Sequence, residues 1–221
     1  MSRETFLLIS QVPGYCLLVF MIIVSIGWKQ RPAYIKMLGA YGGISLIALI
    51  LQFAMILFFH VPRGNNFVYN CYSPFEVVFL MSIFYIVFDS RKTKRIILIL
   101  NIIFLLIWLA EVGYHDFWSL NSYARSVGNI MLIGVSITYF YTLMRDLPSQ
   151  RLFRLPMFWM ATGLLMYNAG TFILFVLLEY LVKVLNNDLI YYWTFQTFLR
   201  MVFNSFLIVC VWQDLRNRRQ S

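Results

Sequence analysis

Two carboxylates and two guanidiniums stand inside long apolar runs of this chain: Glu76, Glu111, Arg125 and Arg200. Around them, at helical spacing, stand the amides Gln52, Asn129, Asn168, Gln196 and Asn204. Such a set could hold a polar ligand, relay a proton or ion, or pair two carboxyls as acid and base. A polar side chain in hydrocarbon turns toward a partner or a cavity, because facing lipid is expensive. The expectation is that these nine residues line a polar cavity opening outward. The alternatives stay open: the same groups could only tie helices together, or could conduct a proton.

Spacing supports convergence. Asn101, Phe104, Trp108, Glu111 and His115 follow a 3-4-3-4 pattern, which puts them on one helix face. Arg125 and Asn129 share a face, as do Gln196, Arg200 and Asn204, and Tyr41, Ser45 and Gln52. Tyr167 and Thr171 accompany Asn168. Glu76 follows Pro74 closely and is expected in the first turn of its helix, where free N–H groups favour an anion. Glu111, His115, Asp116 and His60 give no metal-ligand spacing of the kind zinc sites use, so no metal is expected. No cofactor is expected either. No lysine lies within a run to carry retinal, and Walker, Gly-x-Ser-x-Gly, Cys-x-x-Cys and Pro-Gln motifs are absent.

The elements that must position these groups follow from composition. The 221 residues are 61% hydrophobic and 12% charged, where a water-soluble domain carries about 25% charge. A hydrocarbon core of about 30 Å needs roughly 20 apolar residues in a helix. Seven runs qualify, at about 6–28, 37–60, 73–89, 96–114, 122–144, 156–182 and 189–212, with ends uncertain by roughly 2–4 residues. The runs are continuous, without the alternation of a membrane β-strand. The fold class is therefore all-α: a single seven-helix transmembrane domain in a lipid bilayer. Short gaps leave no room for an internal soluble domain. The third run is the shortest, and Arg200 lies roughly 16 Å below the start of the seventh.

Basic residues set the orientation. Alternate gaps and the tail hold Lys29, Arg31 and Lys36, then Arg91, Lys92, Lys94 and Arg95, then Arg145, Arg151 and Arg154, then Arg216, Arg218 and Arg219. The opposite gaps hold Arg3, Arg63 and Lys183. The positive-inside rule then places the N-terminus outside and the C-terminus in the cytoplasm. This distribution accounts for the net charge of +9 without a nucleic-acid partner. No cleavable signal is expected, because the first run follows only five residues. The three cysteines suggest no disulfide framework. Small residues at Gly39-x-x-x-Gly43, Gly163 and Gly170 predict close helix packing.

Several stretches resemble a group of small, uncharacterised seven-helix proteins from Bacteroidetes. They are Asn70-Cys71-Tyr72-Ser73-Pro74-Phe75-Glu76, Asn121-Ser122-Tyr123, and Pro156-Met157-Phe158-Trp159 followed by Thr162-Gly163-Leu164-Leu165-Met166-Tyr167. The likeness covers most of the third to seventh runs. It implies a bacterial inner-membrane location and no established activity, though such proteins resemble stand-alone sensory or signalling modules that lack their own output domain. Members often carry a carboxylate in the fifth helix where Gly128 and Asn129 stand here, so no site carries over from that helix. The functional expectation is a receptor-like module that reads a small polar or amphipathic ligand from the outer side and signals through a cytoplasmic or membrane partner. A small-solute transporter, a lipid-modifying enzyme using intramembrane carboxylates, and a scaffolding subunit are the alternatives.

Overall fold

The computed structural model describes residues 3–57, 64–114, 122–146, 152–184 and 190–220. These residues form seven α-helices and two short 3-10 turns, with no strand among them. The helices are α1 (Arg3–Ser25), α2 (Ala33–Leu57), α3 (Gly64–Val87), α4 (Arg91–Tyr114), α5 (Ser122–Asp146), α6 (Pro156–Val184) and α7 (Ile190–Gln220). Six of them, α2 to α7, are long and apolar enough to cross a membrane, and Gln11–Ser25 of α1 is a shorter apolar helix.

Successive helices run antiparallel, as the interlocking side chains record. Six of them close a ring: α1 packs on α2, α2 on α3, α3 on α5, α5 on α6, α6 on α7, and α7 back on α1. α4 lies outside, in the groove between α3 and α5. Its buried residues are Ile97, Asn101, Phe104 and Glu111, largely the stripe that the spacing predicts. α3 is the most enclosed span and α4 the least.

Glycines set how closely the helices approach. A methyl group at Gly39 would meet Val24 at 2.7 Å and the Trp28 ring at 2.6 Å, and one at Gly42 would meet the Phe20 ring at 2.5 Å. Gly43 has ordinary room, with Met21 at 3.8 Å, so the tight pair on α2 is Gly39 and Gly42 rather than Gly39 and Gly43. Gly163 seats Phe206 of α7, and Gly170 seats Leu199. Small residues thus admit large ones from the neighbouring helix, the usual solution where helices pack in lipid.

The third helix corrects one expectation. It begins at Gly64, not near residue 73, so Pro74 is an interior residue and Glu76 is the thirteenth of 24. A proline read as a first-turn residue therefore sits mid-helix. Such prolines are tolerated where neighbouring helices satisfy the freed backbone group. The stretch before it fell outside the expected run, yet Asn70 is buried within the bundle. Glu76 consequently gains nothing from a helix N-terminus and must be answered by side chains.

The opposite end of the bundle carries a lock. α1 stops at Gly27, whose φ of 69° is the left-handed conformation glycine accepts without strain. The buried Arg31 then folds back over that terminus. Its Nη2 donates to the Ile23 carbonyl at 2.8 Å and its Nε to that of Ile26 at 3.2 Å, while Nη1 donates to the Val211 carbonyl at 3.1 Å and to Asp214 at 2.5 Å. Arg218 adds a second cation to Asp214 at 3.2 Å. A guanidinium fork suits this work, meeting helix-end carbonyls and a carboxylate together.

Candidate functional site

Glu76 is the centre of a polar layer inside the ring. Arg125 of α5 forms an ion pair with its Oε2, and both side chains are 1% exposed. The Tyr41 hydroxyl of α2 donates to Oε1 at 3.1 Å. Arg200 of α7 stands 3.9 Å from the same oxygen. The Tyr167 oxygen of α6 accepts from Arg125 Nη2 and from Arg200 Nη2, each at 3.2 Å. Two cations, one anion and two phenols thus join five helices. Arg125 is only the fourth residue of α5, yet it lies level with the middle of α3, because α3 and α7 extend further past this layer than α5 does.

The layer has a roof and a floor. Toward the end where α3 and α7 begin, Tyr69, Phe175 and Tyr192 form a separate aromatic cluster with Trp193 packed against it. The Arg125 guanidinium sits 5.9 Å from the Tyr69 ring centroid, a favourable approach to a ring face. Arg200 sits 6.0 Å from that of Tyr72, whose hydroxyl meets Ser45 at 2.7 Å. Below, Phe203 stacks on Tyr167 with centroids 5.3 Å apart. Beneath it Leu80, Phe84, Met160, Leu164 and Leu207 are fully buried, an apolar plug.

Several polar atoms in and around this layer are enclosed without a hydrogen-bond partner among the described residues. They include Arg125 Nε, the Tyr69 and Tyr192 hydroxyls, Gln196 Oε1, Asn168 Oδ1 and both amide atoms of Asn129. A buried group left without a partner costs about 1–3 kcal/mol, a cost that ordered water or a polar ligand would relieve.

The nine residues singled out from sequence divide. Glu76 stands between Arg125, with which it is ion-paired, and Arg200, at 3.9 Å. Gln196 stands one turn from Arg200 and is buried. Asn168 is buried but donates to the Leu164 carbonyl of its own helix at 2.7 Å. Asn129 is buried one turn below Arg125. Asn204 instead straps α7 to α1, donating to the Pro13 carbonyl at 3.0 Å. Gln52 is half-exposed, three turns beyond Tyr41 on α2, and enters no hydrogen bond of the cluster among the described residues.

Glu111 is the clearest departure. Its Oε1 accepts from the Tyr123 N–H at 3.0 Å and its Oε2 from that of Ala124 at 2.6 Å. It caps the N-terminus of α5, where free N–H groups and the dipole favour an anion. The capping role that the sequence suggested for Glu76 therefore belongs to Glu111. One carboxylate thus caps a helix and the other is ion-paired. His60, His115 and Asp116 lie outside the described residues, and no group of three metal-ligating side chains occurs among the described ones. Sequence reading missed Tyr69, Tyr72 and Tyr192. Their signal was available: Tyr69, Tyr72 and Glu76, and Tyr192, Gln196 and Arg200, are each spaced along one helix face.

No family model, curated protein or solved structure matches the chain.

Proposed function

We propose that this chain crosses a bacterial inner membrane seven times, with its N-terminus outside and its C-terminus in the cytoplasm, and works as a receptor-like sensory module. A small polar or amphipathic ligand enters from the outer side, occupies the polar layer, and biases helix positions that a separate partner reads. The observation that carries this reading is the Glu76–Arg125–Arg200 cluster, which ties five helices together around buried polar atoms that lack partners. A group bound there touches every helix whose position it could alter. It acts only by binding one arrangement more tightly than another. The aromatic roof lies at the helix ends that the positive-inside rule assigns to the exterior. The apolar floor below favours a closed-ended site over a transport path. The resemblance to the Bacteroidetes group points the same way.

Cysteine labelling tests this. In a chain with Cys16, Cys71 and Cys210 changed to alanine, Gln196→Cys is expected to react with a membrane-impermeant maleimide on intact cells. Ser90→Cys, in the basic gap after α3, is expected to react only after permeabilisation. The reverse pattern overturns the orientation. A Gln196→Cys chain that reacts from neither side overturns the cavity.

A further inference from the structure

The charge balance of the polar layer says what kind of ligand would fill it. Among the described residues, Arg125 and Arg200 face one carboxylate, Glu76, so one positive charge is left over. Glu111 does not supply the balance, since both of its oxygens are engaged by the N-terminus of α5. An unbalanced cation at this depth is costly, and charges inside membranes are paired. The orphaned atoms include the acceptors Gln196 Oε1, Asn168 Oδ1 and Asn129 Oδ1, but those on the Arg125 side of the layer can donate. Among the described residues, Arg125 Nε–H and the hydroxyls of Tyr69 and Tyr192 are three donors with no acceptor. The Arg125 guanidinium lies 5.9 Å from the Tyr69 ring centroid, and Tyr192 belongs to the same aromatic cluster as Tyr69. Above them the rings of Tyr69, Phe175 and Tyr192 provide an apolar layer suited to a hydrocarbon body.

We propose that this layer binds the singly charged oxyanion head of an amphipathic ligand, with Arg200 as its cationic contact. The proposal rests on the reading of the layer as an outward-facing ligand site. Arg125 is fixed, fully enclosed and ion-paired. Arg200 is 28% exposed, stands 3.9 Å from Glu76, and makes one hydrogen bond, to Tyr167. A guanidinium has five N–H donors in a planar fork that matches two oxygens of one head group. One negative charge completes the balance; two would leave the layer negative. A fatty-acid carboxylate and a phosphodiester lipid head share this chemistry.

The test uses the full chain in phosphatidylcholine nanodiscs, titrated with octanoate, octanol and octylammonium and followed by tryptophan fluorescence, with Trp193 beside the layer. Octanoate is expected to bind at least tenfold more tightly than octanol. Arg200→Gln is expected to remove that preference, and Arg200→Lys to keep part of it. In a second arm, phosphatidylglycerol replaces part of the phosphatidylcholine. A rise in unfolding temperature that Arg200→Gln abolishes assigns the lipid as the source of the oxyanion, and its absence beside octanoate binding assigns a free acid. The proposal is overturned if octanol or octylammonium matches octanoate, or if the preference survives in Arg200→Gln, with no Arg200-dependent effect of phosphatidylglycerol. If Gln196→Cys still labels from outside, that result removes the charge assignment and leaves the cavity. Loss of the labelling removes both. Should Arg200→Gln fail to fold, the wild-type ratio and Arg200→Lys decide.

Discussion

Removing the carboxylate of Glu76 while keeping its shape is the sharpest perturbation of the polar layer. In Glu76→Gln, Arg125 remains fully enclosed and loses its ion-pair partner, keeping only Tyr167 and a neutral amide. Tyr41 still finds an oxygen, so the change is one of charge. Breaking a buried pair from one side costs about 3–5 kcal/mol, because the orphaned ion stays out of water. For a chain of this length each kcal/mol moves the unfolding midpoint by about 2–4 °C, so the expected fall is ~6–20 °C. Thermal unfolding in detergent, followed by tryptophan fluorescence, measures it. A second substitution separates charge from packing. Arg125→Met in the Glu76→Gln background removes the stranded cation and is expected to recover at least half of the loss, since apolar replacement of a whole buried pair is often neutral. Arg200→Gln in the same background is expected to recover less, because that side chain is partly exposed and stands 3.9 Å from Glu76. A Glu76→Gln chain that unfolds within ~1 °C of the parent, or a double variant no better than the single one, would refute the reasoning, and the ion pair would then contribute nothing beyond contact.

Two further outcomes follow from the packing. Asp214→Asn leaves Arg31 buried against neutral partners and is expected to cost about 3 kcal/mol, with Asp214→Asn/Arg31→Met less harmful than Asp214→Asn alone, measured by the same melt. Gly163→Ala pushes a methyl group to 2.5 Å from the Phe206 Cβ and is expected to destabilise by about 1–3 kcal/mol; Gly43→Ala, whose nearest neighbour is 3.8 Å away, is expected to change stability by less than about 0.5 kcal/mol.

Six of the seven expected spans, α2 to α7, were legible because lipid demands long apolar runs whatever the tertiary arrangement, though the start of the third was not. The α4 stripe was legible because one side of an outlying helix must face the bundle. Arg200 announced its need for polar partners by depth alone. The identity of the carboxylate beside it was not legible. Glu76 and Glu111 both sit in apolar helices, and only the start of α3 at Gly64 decides which one caps a helix and which one pairs. Pro74 carried the wrong signal, since inside a bundle a proline need not begin a helix. Arg31 looked like one more basic loop residue and Asp214 like part of a polar tail. Their contact joins positions 183 residues apart, a separation over which spacing says nothing.

α7 runs unbroken from Ile190 to Gln220, about 46 Å of continuous helix. Its upper half carries Gln196 and Arg200, and its lower half carries Asp214, some 21 Å further along the rod. A stiff rod pivoting near Asn204, where it is strapped to α1, converts a small displacement at one end into an opposite swing at the other. A tilt of ~10° would carry Asp214 by ~2–3 Å, enough to part it from the guanidinium of Arg31. Parting those two groups would uncover the carbonyl-rich foot of α1 and an acidic side chain amid basic neighbours, giving that end of the bundle two distinguishable appearances.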